Sequence, residues 1–101
     1  MIKHIVMFKM KSEYEGKSAI ENALEAKEQA EKLIDLVPTL RKLDVCINHE
    51  EANPDNYEFA LVCEFDDIEG LNEYQVHPSH VAFGKFITPR RELRACIDYE
   101  F

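Results

Sequence analysis

Apolar and polar positions alternate with period two from Ile2 to Met10. Ile2, His4, Val6, Phe8 and Met10 share one face, and Lys3, Ile5, Met7 and Lys9 share the other. That spacing predicts a β-strand, and apolar residues on both its faces are more than a surface strand needs. Lys11 to Lys17 is a polar turn containing Gly16. Ser18 with Glu21 forms a capping-box signature. Ile20, Leu24, Lys27, Ala30, Ile34 and Val37 then trace a helical stripe, which Pro38 closes. Leu43 to His49 reads as a second strand, followed by an acidic loop from Glu50 to Asn56. Glu58 to Phe65 is a third strand, with Phe59, Leu61, Cys63 and Phe65 on one side. Leu93 to Phe101 is the last, with Leu93, Ala95, Ile97, Tyr99 and Phe101 on one face and Cys96, Asp98 and Glu100 on the other.

Between the third and last strands the period changes to that of a helix. Asp66 and Asp67 supply a cap and a favourable charge at its positive end. Ile68, Leu71 and Tyr74 share one face of this helix, which is predicted to end near Val76. Pro78 suits the first turn of a second helix, where its missing N–H would be unpaired in any case. In that second helix His80, Phe83, Gly84 and Ile87 fall on a single face, and it stops at Pro89.

The resulting order is strand, helix, strand, strand, helix pair, strand. It predicts an α+β fold: a ferredoxin-like βαββαβ sandwich whose four-stranded antiparallel sheet carries helices on one face. Two helices can cover only one side of such a sheet. The residual apolar side predicts a homodimer through the sheet face.

A chain of 101 residues fits a single domain, residues 1–101. Its net charge of −8 and lack of a basic run argue against a nucleic-acid partner. No stretch is long and apolar enough for a membrane span or a signal peptide. Cys46, Cys63 and Cys96 are widely spaced and odd in number, so no disulfide framework is indicated. Each lies in a strand-like stretch, and buried reduced thiols in a cytoplasmic protein are the expectation.

The candidate chemistry gathers in Tyr74 to His80, which holds one phenol and two imidazoles in seven residues. Tyr74 and His80 are predicted to point inward from either side of the Pro78 break. A first-turn position and burial both disfavour the imidazolium form of His80, which makes it a candidate general base for a carbon acid. His77, just before Pro78, is biased to extended backbone and either caps the second helix or serves as the base. His4 and Asp98 are candidate cross-strand neighbours, and Asp98 could instead orient His80. His77 and His80 lack a nearby second acidic ligand, so no metal site is put forward, and no cofactor signature is present. A cavity lined by His4, Tyr74 and His80 would favour an enzyme, and a filled space there a non-catalytic module.

Lys3-His4-Ile5-Val6-Met7-Phe8-Lys9, Tyr74-x-x-His77-Pro78-x-His80-Val81 with Phe83-Gly84, and Asp98-Tyr99 together resemble the stress-responsive A/B barrel (Dabb) family. The resemblance implies a dimeric α/β barrel of two ferredoxin-like protomers. Its best-understood enzymatic branch, the plant polyketide cyclases, performs a cofactor-independent aldol condensation of a poly-β-keto thioester. By that resemblance His80 stands at the general base and Tyr74 at the substrate-positioning phenol. His4 and Asp98 match further polar groups of the pocket, and His77 and Phe83 fall within the matched segment as candidate binding residues. The ligand implied is small and hydrophobic or keto-bearing. A stress-associated dimeric module that binds a ligand without catalysis is the alternative, and a cofactor-free monooxygenase on the same fold a second one.

Overall fold

A computed structural model describes all residues, 1–101. The chain opens with β1 (Ile2–Met10), whose alternation appears as buried His4, Val6, Phe8 and Met10 facing the helices. The polar turn that follows is a small hairpin of β2 (Glu13–Tyr14) and β3 (Lys17–Ser18). Glu15 (φ 50°) and Gly16 (φ 80°) form its two-residue loop, the backbone that a type I′ turn demands. Ser18 then caps α1 (Ala19–Glu31). Its side chain accepts the Glu21 N–H, and the Glu21 carboxylate accepts the Ser18 N–H, so the capping box is complete.

The helical segment is interrupted at Lys32, with the short α2 (Leu33–Leu36) following. Its buried face also differs from the stripe expected. Ala23, Ala26, Ala30, Leu33 and Val37 are buried, whereas Ile20, Leu24 and Ile34 are exposed. Three alanines let the helix approach the sheet more closely than large side chains would permit. Lys27, placed in the apolar stripe by its spacing, donates to the Val45 carbonyl and pairs with Glu31. It thereby satisfies one carbonyl of β4 (Lys42–Ile47), an edge strand.

β5 (Phe59–Phe65) buries Phe59, Leu61, Cys63 and Phe65 on the helix side, as its pattern predicts. Asp67 caps α3 (Ile68–Val76) by accepting the Gly70 N–H at 2.8 Å, and α4 (Pro78–Ile87) carries Pro78 in its first turn. Leu71, Tyr74, Phe83 and Ile87 are buried, but Ile68 is exposed. β6 (Arg91–Glu100) ends the chain. The antiparallel order β4-β5-β1-β6 makes the fold ferredoxin-like, as expected. No helix is long and apolar enough to cross a membrane.

Register decides what each face of the sheet presents. His4 pairs with Asp98, Val6 with Cys96 and Phe8 with Arg94, so these β6 residues share the helix-side face. There they remain exposed, because β6 is the sheet's edge. The apolar face of β6 points the other way. Leu93, Ile97 and Tyr99, with Met7 of β1, leave the outer sheet face exposed and largely apolar. The expectation of three buried thiols is therefore corrected: Cys63 is buried, while Cys46 on the outer face and Cys96 on β6 are exposed.

Phe8 and Phe59 pair across the strands with ring centroids 4.9 Å apart, and Phe83 meets Phe8 edge-on. Removing one ring opens a cavity that neither strand can close. Phe59→Ala is expected to cost about 3–5 kcal/mol in chemical denaturation. A loss below about 1 kcal/mol would mean that this stack does not centre the core.

Candidate active site

Pro78 builds the site by breaking a helix. At the break His77 takes an extended conformation (φ −64°, ψ 136°), as a residue before proline is inclined to do. The carbonyl of Gln75, in the last turn of α3, then has no following helical N–H to accept from. The Ser79 N–H, which would serve it in a continuous helix, donates instead to His77 Nδ1 at 3.1 Å. His77 is thus the N-cap of α4, its Nδ1 lone pair occupied. The orphan Gln75 carbonyl accepts from His80 Nδ1 at 3.1 Å. A carbonyl can only accept, so the proton of neutral His80 sits on Nδ1, and Nε2 keeps its lone pair.

The His80 ring lies against Tyr74, centroids 4.3 Å apart. Burial lowers the His80 pKa from its ordinary value of 6.5. The bond to the Gln75 carbonyl works in the opposite direction, while the charges of His4, Arg94 and His77 add to the lowering. His80 is accordingly neutral at pH 7.

Tyr74 is 1% exposed and its ring also meets His4, at 6.1 Å, and Phe65, at 5.1 Å. The ring itself occupies the space between the two imidazoles where a lined cavity was expected. Burial raises the pKa of the Tyr74 hydroxyl and of the Cys63 thiol, the latter to about 12. Both are neutral donors rather than anions.

Asp98 belongs to His4. His4 Nδ1 and Asp98 Oδ1 form a short hydrogen bond across β1 and β6, which settles the pairing in favour of His4 over His80. His4 is 2% exposed while Asp98 reaches solvent, so the pair connects the interior to the open face of β6. Cys96 is held beside it with Sγ 3.4 Å from His4 Nδ1; partial desolvation of an otherwise exposed thiol, then the Asp98 charge, raises its pKa. Phe83 lies in the core against Phe8.

Of the residues singled out in the sequence, His4, Tyr74, His80 and Asp98 come together, and His77 serves the backbone. Sequence reasoning missed the Gln75 carbonyl, Cys63, Cys96 and Arg94. Alternation along the last strand places Arg94, Cys96 and Asp98 on one face, and that signal could have found two of them.

Comparison with known proteins agrees with this architecture. A dimeric protein of unknown function and ferredoxin-like fold from Bacteroides fragilis is 37% identical, with a TM-score of 0.85 over 99% of this chain and 95% of its own. A dimeric ferredoxin-like protein of unknown function from Thermobifida fusca is 25% identical, with a TM-score of 0.83 over 99% and 90%. The hydroxynitrile lyase from Passiflora edulis shares the fold at 17% identity, with a TM-score of 0.78 over 97% and 90%. A search of curated proteins finds no match. The model of the stress-responsive A/B barrel domain matches residues 2–101, and the chain belongs to that family, Dabb.

Proposed function

We propose that this Dabb protein is a cofactor-independent proton-transfer enzyme in which His80 Nε2 takes a proton from the carbon next to a carbonyl, as an aldol-type or cyclase reaction on a small keto compound requires. The observation that carries the reading is the Gln75 carbonyl bond, which with burial leaves a neutral imidazole with one defined basic nitrogen. The ligand would lie over the open face of β6, where Arg94 supplies positive charge for a developing enolate. Tyr74 supports the His80 ring from beneath, and the His4–Asp98 pair supplies a second, oriented imidazole. The hydroxynitrile lyase, below 25% identity, lends the fold alone and no substrate.

A second reading has its own support. Tyr74 fills the space between His4 and His80, as in a non-catalytic module that binds a small hydrophobic ligand elsewhere on its surface. Either reading is accompanied by a homodimer through the outer sheet face, where Met7, Leu93, Ile97 and Tyr99 are exposed. The dimeric relatives support that assembly.

Light scattering at micromolar concentration should give a dimer, burying at least about 1,200 Å². Met7→Glu should shift it toward monomer by setting an unpaired charge in the interface; a wild-type monomer of 11.8 kDa contradicts the assembly. His80→Ala should slow protein-catalysed deuterium exchange into the α-carbon of ethyl acetoacetate by about 10²–10⁴-fold. It should cost only about 1 kcal/mol of stability, the worth of one hydrogen bond. Unchanged exchange, or a collapsed melting temperature, favours the module. The pH dependence has a definite sign. A histidine whose folded pKa is lowered stays basic as pH falls through 6.5, so the acid limb of the exchange rate should have its midpoint below that value. By the same linkage the His80 contribution to stability is full above pH 6.5 and declines below it, because the unfolded chain then binds the proton first. A midpoint above 6.5 contradicts the burial argument.

A further inference from the structure

Cys96 has no part in the proton transfer, yet its surroundings are those of a metal ligand. Its Sγ lies 3.4 Å from His4 Nδ1 and 4.0 Å from Asp98 Oδ1, and the three ligand atoms all fall within 4.8 Å of one another. Around a tetrahedral zinc ion, with bonds of about 2.0 Å to nitrogen and oxygen and about 2.3 Å to sulfur, neighbouring ligand atoms stand roughly 3.3–3.6 Å apart. The sulfur therefore already sits at nearly ligand spacing from both partners. Only His4 Nδ1 and Asp98 Oδ1 are closer than a shared cation requires, because a proton now joins them. Asp98 is the exposed member of that pair and can swing outward, while His4 is 2% exposed and fixed in the middle of the sheet's pairing.

We propose that His4, Cys96 and Asp98 form a binding site for a thiophilic divalent cation, zinc in the first instance, in which the cation takes the place of the proton between His4 Nδ1 and Asp98, His4 binds as the neutral tautomer protonated on Nε2, and the Cys96 thiol releases its proton to solvent. One nitrogen, one sulfur and one oxygen donor suit zinc and its neighbours in the first transition row. They do not suit magnesium or calcium, which take oxygen ligands. Three protein ligands leave a fourth position for water, and the open face of β6 admits it. The strands hold the site in register: Cys96 and Asp98 are two residues apart on one face of β6, and Asp98 lies directly opposite His4 on β1. None of this depends on His80. A bound cation would withdraw His4 and Asp98 from any service to His80, so the site and the proposed enzyme compete.

Cobalt(II) is the probe, added to the reduced full-length protein. One cation per chain should give a thiolate-to-cobalt charge-transfer band in the near ultraviolet and the visible bands of tetrahedral cobalt. Zinc should bleach both and raise the melting temperature by mass action. Cys96→Ser should abolish the charge-transfer band and weaken binding by at least about 100-fold, the upper end of what losing an outer hydrogen-bond partner of a ligand costs. Cys46→Ser, at an exposed thiol on the opposite sheet face, should leave the band intact. Serine is nearly isosteric with cysteine, so both variants should fold; melting curves check this, and light scattering checks that Cys46→Ser, on the proposed dimer face, keeps the dimer. No band at stoichiometric cobalt, a band that survives Cys96→Ser, or a band lost on Cys46→Ser overturns the proposal. Those readings are independent of proton exchange: an inert His80→Ala leaves the cation site standing, and absent cobalt binding leaves the His80 base standing.

Discussion

The hydrogen bond from His80 Nδ1 to the Gln75 carbonyl is the interaction on which the site depends. It exists because Pro78 prevents a continuous helix. In an unbroken helix the Gln75 carbonyl would accept from Ser79, and a histidine at position 80 would be an ordinary side chain facing Tyr74. The break sends the Ser79 N–H to His77 instead and leaves the carbonyl for the imidazole. Two histidines three residues apart thus acquire opposite roles. His77 accepts through Nδ1 and holds the backbone; His80 donates through Nδ1 and keeps a basic nitrogen. Burial then removes the proton that a solvent-exposed imidazole would carry more readily.

Around this joint the sheet sets a second constraint. β6 is an edge strand with its apolar side turned away from the helices, so its helix-side face carries Arg94, Cys96 and Asp98 in the open. The arrangement has two consequences. The outer face gains the apolar area a partner would cover, and the inner face becomes a polar opening beside the buried His4. Tyr74 links the two halves, its ring lying against both imidazoles.

Much of this was legible in the sequence, and for identifiable reasons. Alternation in β1 and β5 gave the strands and their inward faces, because one side of each is packed. The Ser18–Glu21 capping box and the Asp67 cap marked helix starts through local hydrogen bonds that need no tertiary contact. Pro78 marked the break. What failed depended on distance between elements. The α1 stripe was read from Ile20 and Leu24, whereas the sheet lies close enough to select Ala23, Ala26 and Ala30. Cys96 was expected inside because it sits on a strand, yet an edge strand exposes it. Asp98 had two candidate partners until the β1–β6 register assigned it to His4. The Gln75 carbonyl, a backbone atom, leaves no mark in the sequence except through the proline that frees it.

The most direct test is a long-range proton–nitrogen correlation spectrum of the imidazoles at pH 7, with His80 assigned by its loss in His80→Ala. His80 should appear neutral, with the proton on Nδ1 and an unprotonated Nε2. A His80 ring protonated on both nitrogens, or carrying its proton on Nε2, would contradict this.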